Sequence, residues 1–183
     1  SYLMLGLVLG VHSLAAQTYY SENFESGNGT SWVYTDMDGD GKIFVIANAS
    51  SLEASFGTKS LASFSWQSNV ILTPNNLVTS PAIVIPSGGS NLNLIYNARS
   101  ATSYGAEHYA VYVTEVNTSG AIIATTPVLE ETLANAGSLQ VRSIDISSFL
   151  GKTIYLSFRH FNCTDQNYLI LDNIEIKTLQ NNN

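Results

Sequence analysis

Apolar residues recur at every second position in several short runs of this sequence, and no segment sustains an apolar stripe at helical spacing. Successive side chains of a strand point to opposite faces, so such runs make half-buried strands and leave nothing for a helical bundle to pack. In Tyr109-Ala110-Val111-Tyr112-Val113-Thr114 the odd positions Tyr109, Val111 and Val113 line one face. In Ile154-Tyr155-Leu156-Ser157-Phe158-Arg159 the even positions Ile154, Leu156 and Phe158 turn inward, and Ser157 and Arg159 outward. The predicted strands are 18–24, 42–47, 60–66, 77–85, 92–97, 108–116, 120–126, 140–146, 153–161 and 168–177. Leu169, Leu171, Ile174 and Ile176 do not keep one parity, which predicts a bulge or a change of direction near Asp172-Asn173. Turn residues separate the runs, as in Gly27-Asn28-Gly29 and Pro74-Asn75-Asn76, and residues 147–150 suffice for one short helical turn. Many short strands at regular spacing imply an all-β fold, an antiparallel β-sandwich or jelly roll.

A chain of 183 residues is long enough for one domain with a full core, and no internal repeat is visible. The net charge of -7 argues against nucleic acid or an anionic membrane as partner. Those surfaces demand clustered Lys and Arg, and only seven basic residues are scattered here. The apolar stretch before Ser13-Leu14-Ala15-Ala16-Gln17 is too short to span a bilayer and ends in small residues. Residues 1–16 therefore read as a secretory signal peptide lacking its own beginning, with a buried N-terminal strand or helix as the alternative. Residues 17–178 form the domain, and 179–183 a linker or truncated tail. The expected location is secreted or cell-surface.

Cys163 is the sole cysteine, so no internal disulfide can form, and a metal can take the place of disulfides in an exported domain. The run Asp36-Met37-Asp38-Gly39-Asp40-Gly41 suits that role. Three carboxylates spaced two apart, with glycines that let the backbone curl, fit calcium, which takes six to eight oxygen ligands at about 2.3–2.6 Å. The run matches the first half of an EF-hand loop, but Ala47 stands where that loop needs a bidentate Glu, and the β-prone flank rules the motif out. The missing oxygens must come from elsewhere. Glu25 and Asp172 are the candidates, brought to one edge if the first and last strands pair; Glu22 and Glu107 are weaker ones. The plain alternative is a solvated Asp-Gly turn.

His108 and His160 begin and end predicted strands, and no Gly-x-Ser-x-Gly or His-Glu-x-x-His motif accompanies them. They read as polar residues at strand ends, and Cys163 as a small residue near one. Trp32, Tyr34, Trp66 and Tyr104 either fill the core or, if exposed in loops, stack on sugar rings. Four Asn-x-Ser/Thr tripeptides, at Asn28, Asn48, Asn117 and Asn162, are expected by chance in a chain this rich in those residues.

Phe24-Glu25-Ser26-Gly27, then Trp32 and the Asp run, resemble the opening of the cleaved adhesin domain, found in the haemagglutinin/adhesin regions of gingipain proteases and in exported proteins of Bacteroidetes. Leu72-Thr73-Pro74-Asn75-Asn76-Leu77, Glu107-His108-Tyr109-Ala110-Val111-Tyr112-Val113 and Tyr155-Leu156-Ser157-Phe158-Arg159-His160 continue the resemblance in order. It implies a jelly roll similar to MAM and galactose-binding-like domains, with structural calcium at Asp36, Asp38, Asp40, Glu25 and Asp172. It also implies a non-catalytic module, monomeric within a larger protein and not inserted in a membrane. Such a module adheres to host proteins, cell surfaces or glycans. Type IX secretion is the implied export route. A carbohydrate-binding module appended to a secreted protease or glycoside hydrolase is the alternative. Leu77 stands where the family usually has Trp.

Overall fold

The computed structural model describes residues 16–27, 29–48, 52 and 57–179. The signal segment up to Ala15, the tail after Leu179 and parts of the Asn28 and Asn48 tripeptides lie outside them. The elements are β1 (Thr18–Glu22), β2 (Val33–Asp36), β3 (Val45–Asn48), β4 (Lys59–Phe64), β5 (Trp66–Gln67), β6 (Val70–Ile71), β7 (Asn76–Thr79) and β8 (Ile83–Val84). They continue with β9 (Leu92–Ser100), β10 (His108–Thr114), α1 (Ser119–Ile123), β11 (Leu129–Thr132), β12 (Gln140–Asp145), β13 (Thr153–His160) and β14 (Tyr168–Thr178).

Two antiparallel sheets face each other across the core. One runs β12-β9-β14-β4-β3, with β1 also on β14; the other runs β11-β10-β13-β7-β2, with β8 also on β13. The inward rows predicted from alternation form this core. Val111, Val113, Ile154, Leu156 and Phe158 from one sheet meet Leu94, Tyr96, Leu169, Leu171, Ile174 and Ile176 from the other. Trp32 is buried between Phe24 and Phe158, its ring 5.7 Å from the first and stacked 6.5 Å from the second.

The parity break in β14 is a bulge. Its register with β9 shifts between Asp172 and Glu175, and Asn173 takes a positive φ of 48°. The extra residue lets Leu171 and Ile174 both face the core. On the other edge of β14, β4 pairs with Tyr168 to Leu171 and β1 with Ile174 to Lys177. The two strands thus lie end to end, and Asp172 falls in the gap between them.

Three local expectations fail. Residues 120–126 were predicted as a strand, but α1 forms there instead, and the β11 ladder on β10 stops at Val111. The helix sets Ile122 against Leu77, Ala110 and Tyr112 on the outer face of the second sheet. The predicted strand 77–85 is two strands, since Pro81 lacks the N–H a ladder needs. Strand β11 went unpredicted because Glu130 and Glu131 interrupt its apolar signal; Glu130 bonds the His108 ring and Glu131 forms an ion pair with Arg142.

Candidate functional site

Loop 36–41 leaves β2 and folds on its own backbone. Asp36 Oδ1 accepts from the amides of Asp38 (3.2 Å) and Gly39 (2.7 Å), and Oδ2 accepts from that of Gly41 (2.8 Å). Asp40 Oδ1 accepts from the Lys42 amide at 2.7 Å. Gly39 and Gly41 sit at φ 78° and 79°, the left-handed region that only glycine enters without strain. The amides of Gly41 and Gly39 hold the Asp36 carboxyl below its ordinary range. Desolvation raises that of Asp38, helped by its hydrogen bond with Asp36 and the charge of Asp40. Carboxylate oxygens of all three converge within 4.8 Å, and Asp38 and Asp40 face solvent.

The other two sequence candidates are not part of that trio. Asp172, fully buried at the gap in β14, accepts from Ser60 Oγ (2.8 Å) and from the Asn173 amide (2.6 Å). Glu25, in the turn after β1, accepts from the hydroxyl of Thr58 and from the amides of Thr58 (2.7 Å) and Lys59 (3.2 Å). Glu22 at the end of β1 accepts from the Phe24 amide at 2.7 Å. Asp172 and Glu25 both bond residues at the start of β4, and Glu22 acts on Asp172 through its charge, but the oxygens of these three acids do not converge within 4.8 Å as those of the aspartate loop do. Burial pushes the Asp172 carboxyl up to about 7 against the pull of its two donors, and the charges of Glu25 and Glu22 add to the rise. Among the described residues, no lysine, arginine or histidine forms an ion pair with Asp172, Glu22 or Glu25. A fully buried carboxylate without a cation, with two acids beside it, is a costly arrangement unless a positive charge is supplied. The donor set is all oxygen, which is what a hard divalent cation takes.

The histidines differ. His108 lies at the surface end of β10, between Thr132 Oγ1 (2.9 Å) and Glu130 Oε1 (3.1 Å), with its ring edge-on to Phe161. His160 is fully buried and bonds Glu107 Oε2 at 2.8 Å, with Cys163 beside them. Glu107 was a minor candidate in sequence, and nothing in its neighbourhood signalled that a buried histidine 53 residues away would meet it. Of the aromatic candidates, Trp32 is core, Tyr34 and Trp66 are half-buried, and Tyr104 is 74% exposed on a loop at φ 57°. Beside the aspartate loop lies a polar cleft of about 460 Å³ lined by Asp38, Asn75, Arg159, Phe161, Asn162 and Cys163. Arg159 lies over the Phe161 ring, 4.2 Å from its centre, and donates to Asn75 Oδ1 at 2.9 Å. That stacking covers the one aromatic face the cleft offers.

The sequence profile described as Cleaved Adhesin Domain matches residues 17–176. Lys-gingipain W83 of Porphyromonas gingivalis is 35% identical over 172 residues, covering 87% of this chain and 10% of that protein. Hemagglutinin A of the same organism is 29% identical over 166 residues, 79% of this chain and 8% of that protein. The chain thus spans about a tenth of the length of the curated relatives it matches. Among solved structures, the K1 cleaved adhesin domain of Lys-gingipain from P. gingivalis W83 superposes with a TM-score of 0.73 at 30% identity, covering 90% of this chain and 99% of that one. The module TmCBM61, solved with beta-1,4-galactotriose, shares the fold at a TM-score of 0.62 and 9% identity, over 87% of this chain and 97% of its own.

Proposed function

The chain belongs to the Cleaved Adhesin Domain family, and on that premise we propose that it is a non-catalytic, calcium-stabilised extracellular module that adheres to host proteins, cell surfaces or glycans. The observation that carries the calcium reading is the buried Asp172, flanked by Glu25 and Glu22 and paired with no cation among the described residues. Asp172 would anchor one ion, with Glu25 and Glu22, whose oxygens stand farther off, adding negative charge beside it. The trio Asp36, Asp38 and Asp40 would hold a second, more exposed one. Calcium supplies positive charge and oxygen affinity, nothing redox. The chain's own residues do the rest: the Ser60 hydroxyl and the Asn173 amide orient the Asp172 carboxylate, and the Thr58 and Lys59 amides orient Glu25. Tying the end of β1 to the middle of β14 orders the turn between them before any partner arrives, which lowers the entropy lost on binding.

The absence of catalysis is supported by what the two histidines already do. His160 is fully buried, His108 is engaged on both ring nitrogens, and burial and the Glu107 charge push the Cys163 thiol upward, away from its nucleophilic form. The names of the relatives, gingipain and hemagglutinin, support an extracellular or surface location and membership in a larger protein. Thermal melting in calcium and in a chelator tests the central claim. The midpoint should fall on chelation and recover on adding calcium back, and equal midpoints would remove it. A panel of host matrix proteins and glycans, read with and without calcium, then tests adhesion.

One observation favours carbohydrate as the partner: the exposed ring of Tyr104. Glycan-array binding that disappears in Tyr104→Ala would select that reading. Unchanged binding would direct attention to the polar cleft around Arg159 and Asn75.

A further inference from the structure

Three side chains meet where β13 ends against the start of β10, apart from both acidic sites. Glu107 Oε2 lies 2.8 Å from His160 Nε2, Cys163 Sγ lies 3.2 Å from that oxygen, and Sγ and Nε2 are 3.1 Å apart. Glu107 and His160 are fully buried, and Cys163 closes the triangle on the side of the polar cleft. We infer that Glu107, His160 and Cys163 form a binding site for one borderline-soft divalent metal ion, zinc foremost, with the cleft supplying its fourth ligand as water.

The triangle itself is the first argument. A thiol and a neutral imidazole can each donate to Glu107 Oε2, but that leaves the 3.1 Å contact of Sγ with Nε2 without a proton, whereas one ion on the axis of the triangle serves all three atoms. The donor set of carboxylate, imidazole and thiolate suits zinc and disfavours calcium. Charge balances as well: a carboxylate, a thiolate and a neutral imidazole cancel a divalent cation, so the filled site adds no net charge to the interior. Zinc with ligand bonds of about 2.0–2.3 Å in tetrahedral geometry needs its donors about 3.3–3.6 Å apart. The triangle must open by about half an ångström or less, and Cys163, in the loop after β13, is free of any ladder to allow it.

Each buried ligand is also held from behind. Ser65 Oγ donates to the other Glu107 oxygen at 2.8 Å, and Ser63 Oγ is 2.7 Å from His160 Nδ1. Partners of this kind fix ligand orientation and tautomer in metal sites. Metal on Nε2 requires the proton on Nδ1, so Ser63 must accept there and point its own proton elsewhere. Asn76 provides for this. Its Nδ2 donates to Ser63 Oγ at 3.1 Å, while its Oδ1 is buried with no partner among the described residues. Half a turn of that amide presents Oδ1 to receive the Ser63 proton. Binding then releases the Cys163 proton to solvent, and no electrons move.

Cobalt(II) titration of chelator-treated protein tests this, because thiolate-bound cobalt absorbs in the near ultraviolet and oxygen-bound cobalt does not. The expected result is one equivalent bound with that absorption, displaced by zinc and unaffected by a large excess of calcium. Cys163→Ser should abolish the absorption, and Ser63→Ala should weaken zinc binding about tenfold or more. Wild-type protein that takes up cobalt without thiolate absorption, or none at all, overturns the assignment even if the variants fail to fold. Loss of calcium stabilisation with the cobalt signal intact would sink the proposed function and leave this site standing.

Discussion

The 36–41 loop and the seam around Asp172 are both clusters of acids, and they solve the problem of crowded negative charge in opposite ways. In the loop the acids stand at every second position, Asp38 and Asp40 face solvent, and the Asp36 carboxylate is already filled by backbone amides. In the seam they come from residues 22, 25 and 172, and the middle one has lost its water without gaining a cation. A conspicuous motif in sequence therefore need not be the site under the most electrostatic pressure. Amides lower the cost of an exposed charge cheaply, while a buried one needs an ion or a proton.

The largest effect expected from this contrast is in calcium. Asp172→Ala should lower the melting midpoint by about 5–10 °C in saturating calcium, the loss expected when ligand near a hundred times its dissociation constant no longer binds. Asp36→Ala should cost less than half as much. Equal losses would merge the two regions into one functional class. The next effect is on pH. In chelator the folded protein keeps the Asp172 proton up to about pH 7, whereas the unfolded chain releases it near pH 4. Stability should therefore fall as pH rises through that window, by up to about 1.4 kcal/mol per unit, and level off above it. Asp172→Asn should flatten the curve, and so should calcium; melting scans across the window check both. The smallest effect concerns the loop. Gly41→Ala places a Cβ in open space but at φ 79°, so it should cost about 1–2 kcal/mol in chelator and somewhat more in calcium, where it also disturbs the second ion's loop. An equal cost in both conditions would mean that the loop holds no ion.

Alternation exposed the sandwich in sequence because each inward row, such as Ile154, Leu156 and Phe158, must cross a half-buried sheet. The broken parity at Asp172-Asn173 announced the bulge, and with it the place where a buried acid sits. What escaped was set by partners far along the chain. The segment 120–126 has strand-like residues but sets Ile122 against the outer face of the second sheet, and β11 is held by polar partners of Glu130 and Glu131 as well as by the core contact of Leu129. The meeting of Glu107 with His160 depends on the register of β10 against β13, which no local pattern encodes. The five acids named from sequence divide between a self-capped loop and a buried seam, and that division is a property of burial, which spacing alone does not carry.

The pairing of β1 with β14 has a mechanical consequence. Gln17 and Thr178 are bonded to each other at one end of that ladder, and Glu22 faces Ile174 at the other. A pull applied between the two chain ends loads those rungs one at a time, like a peeling tape, which is the weak direction for a β-ladder. The tear would run straight towards Asp172. An ion lodged there would act as a rip-stop, so single-molecule stretching should show a calcium-dependent arrest after β1 detaches. No arrest would mean that the seam bears no tension.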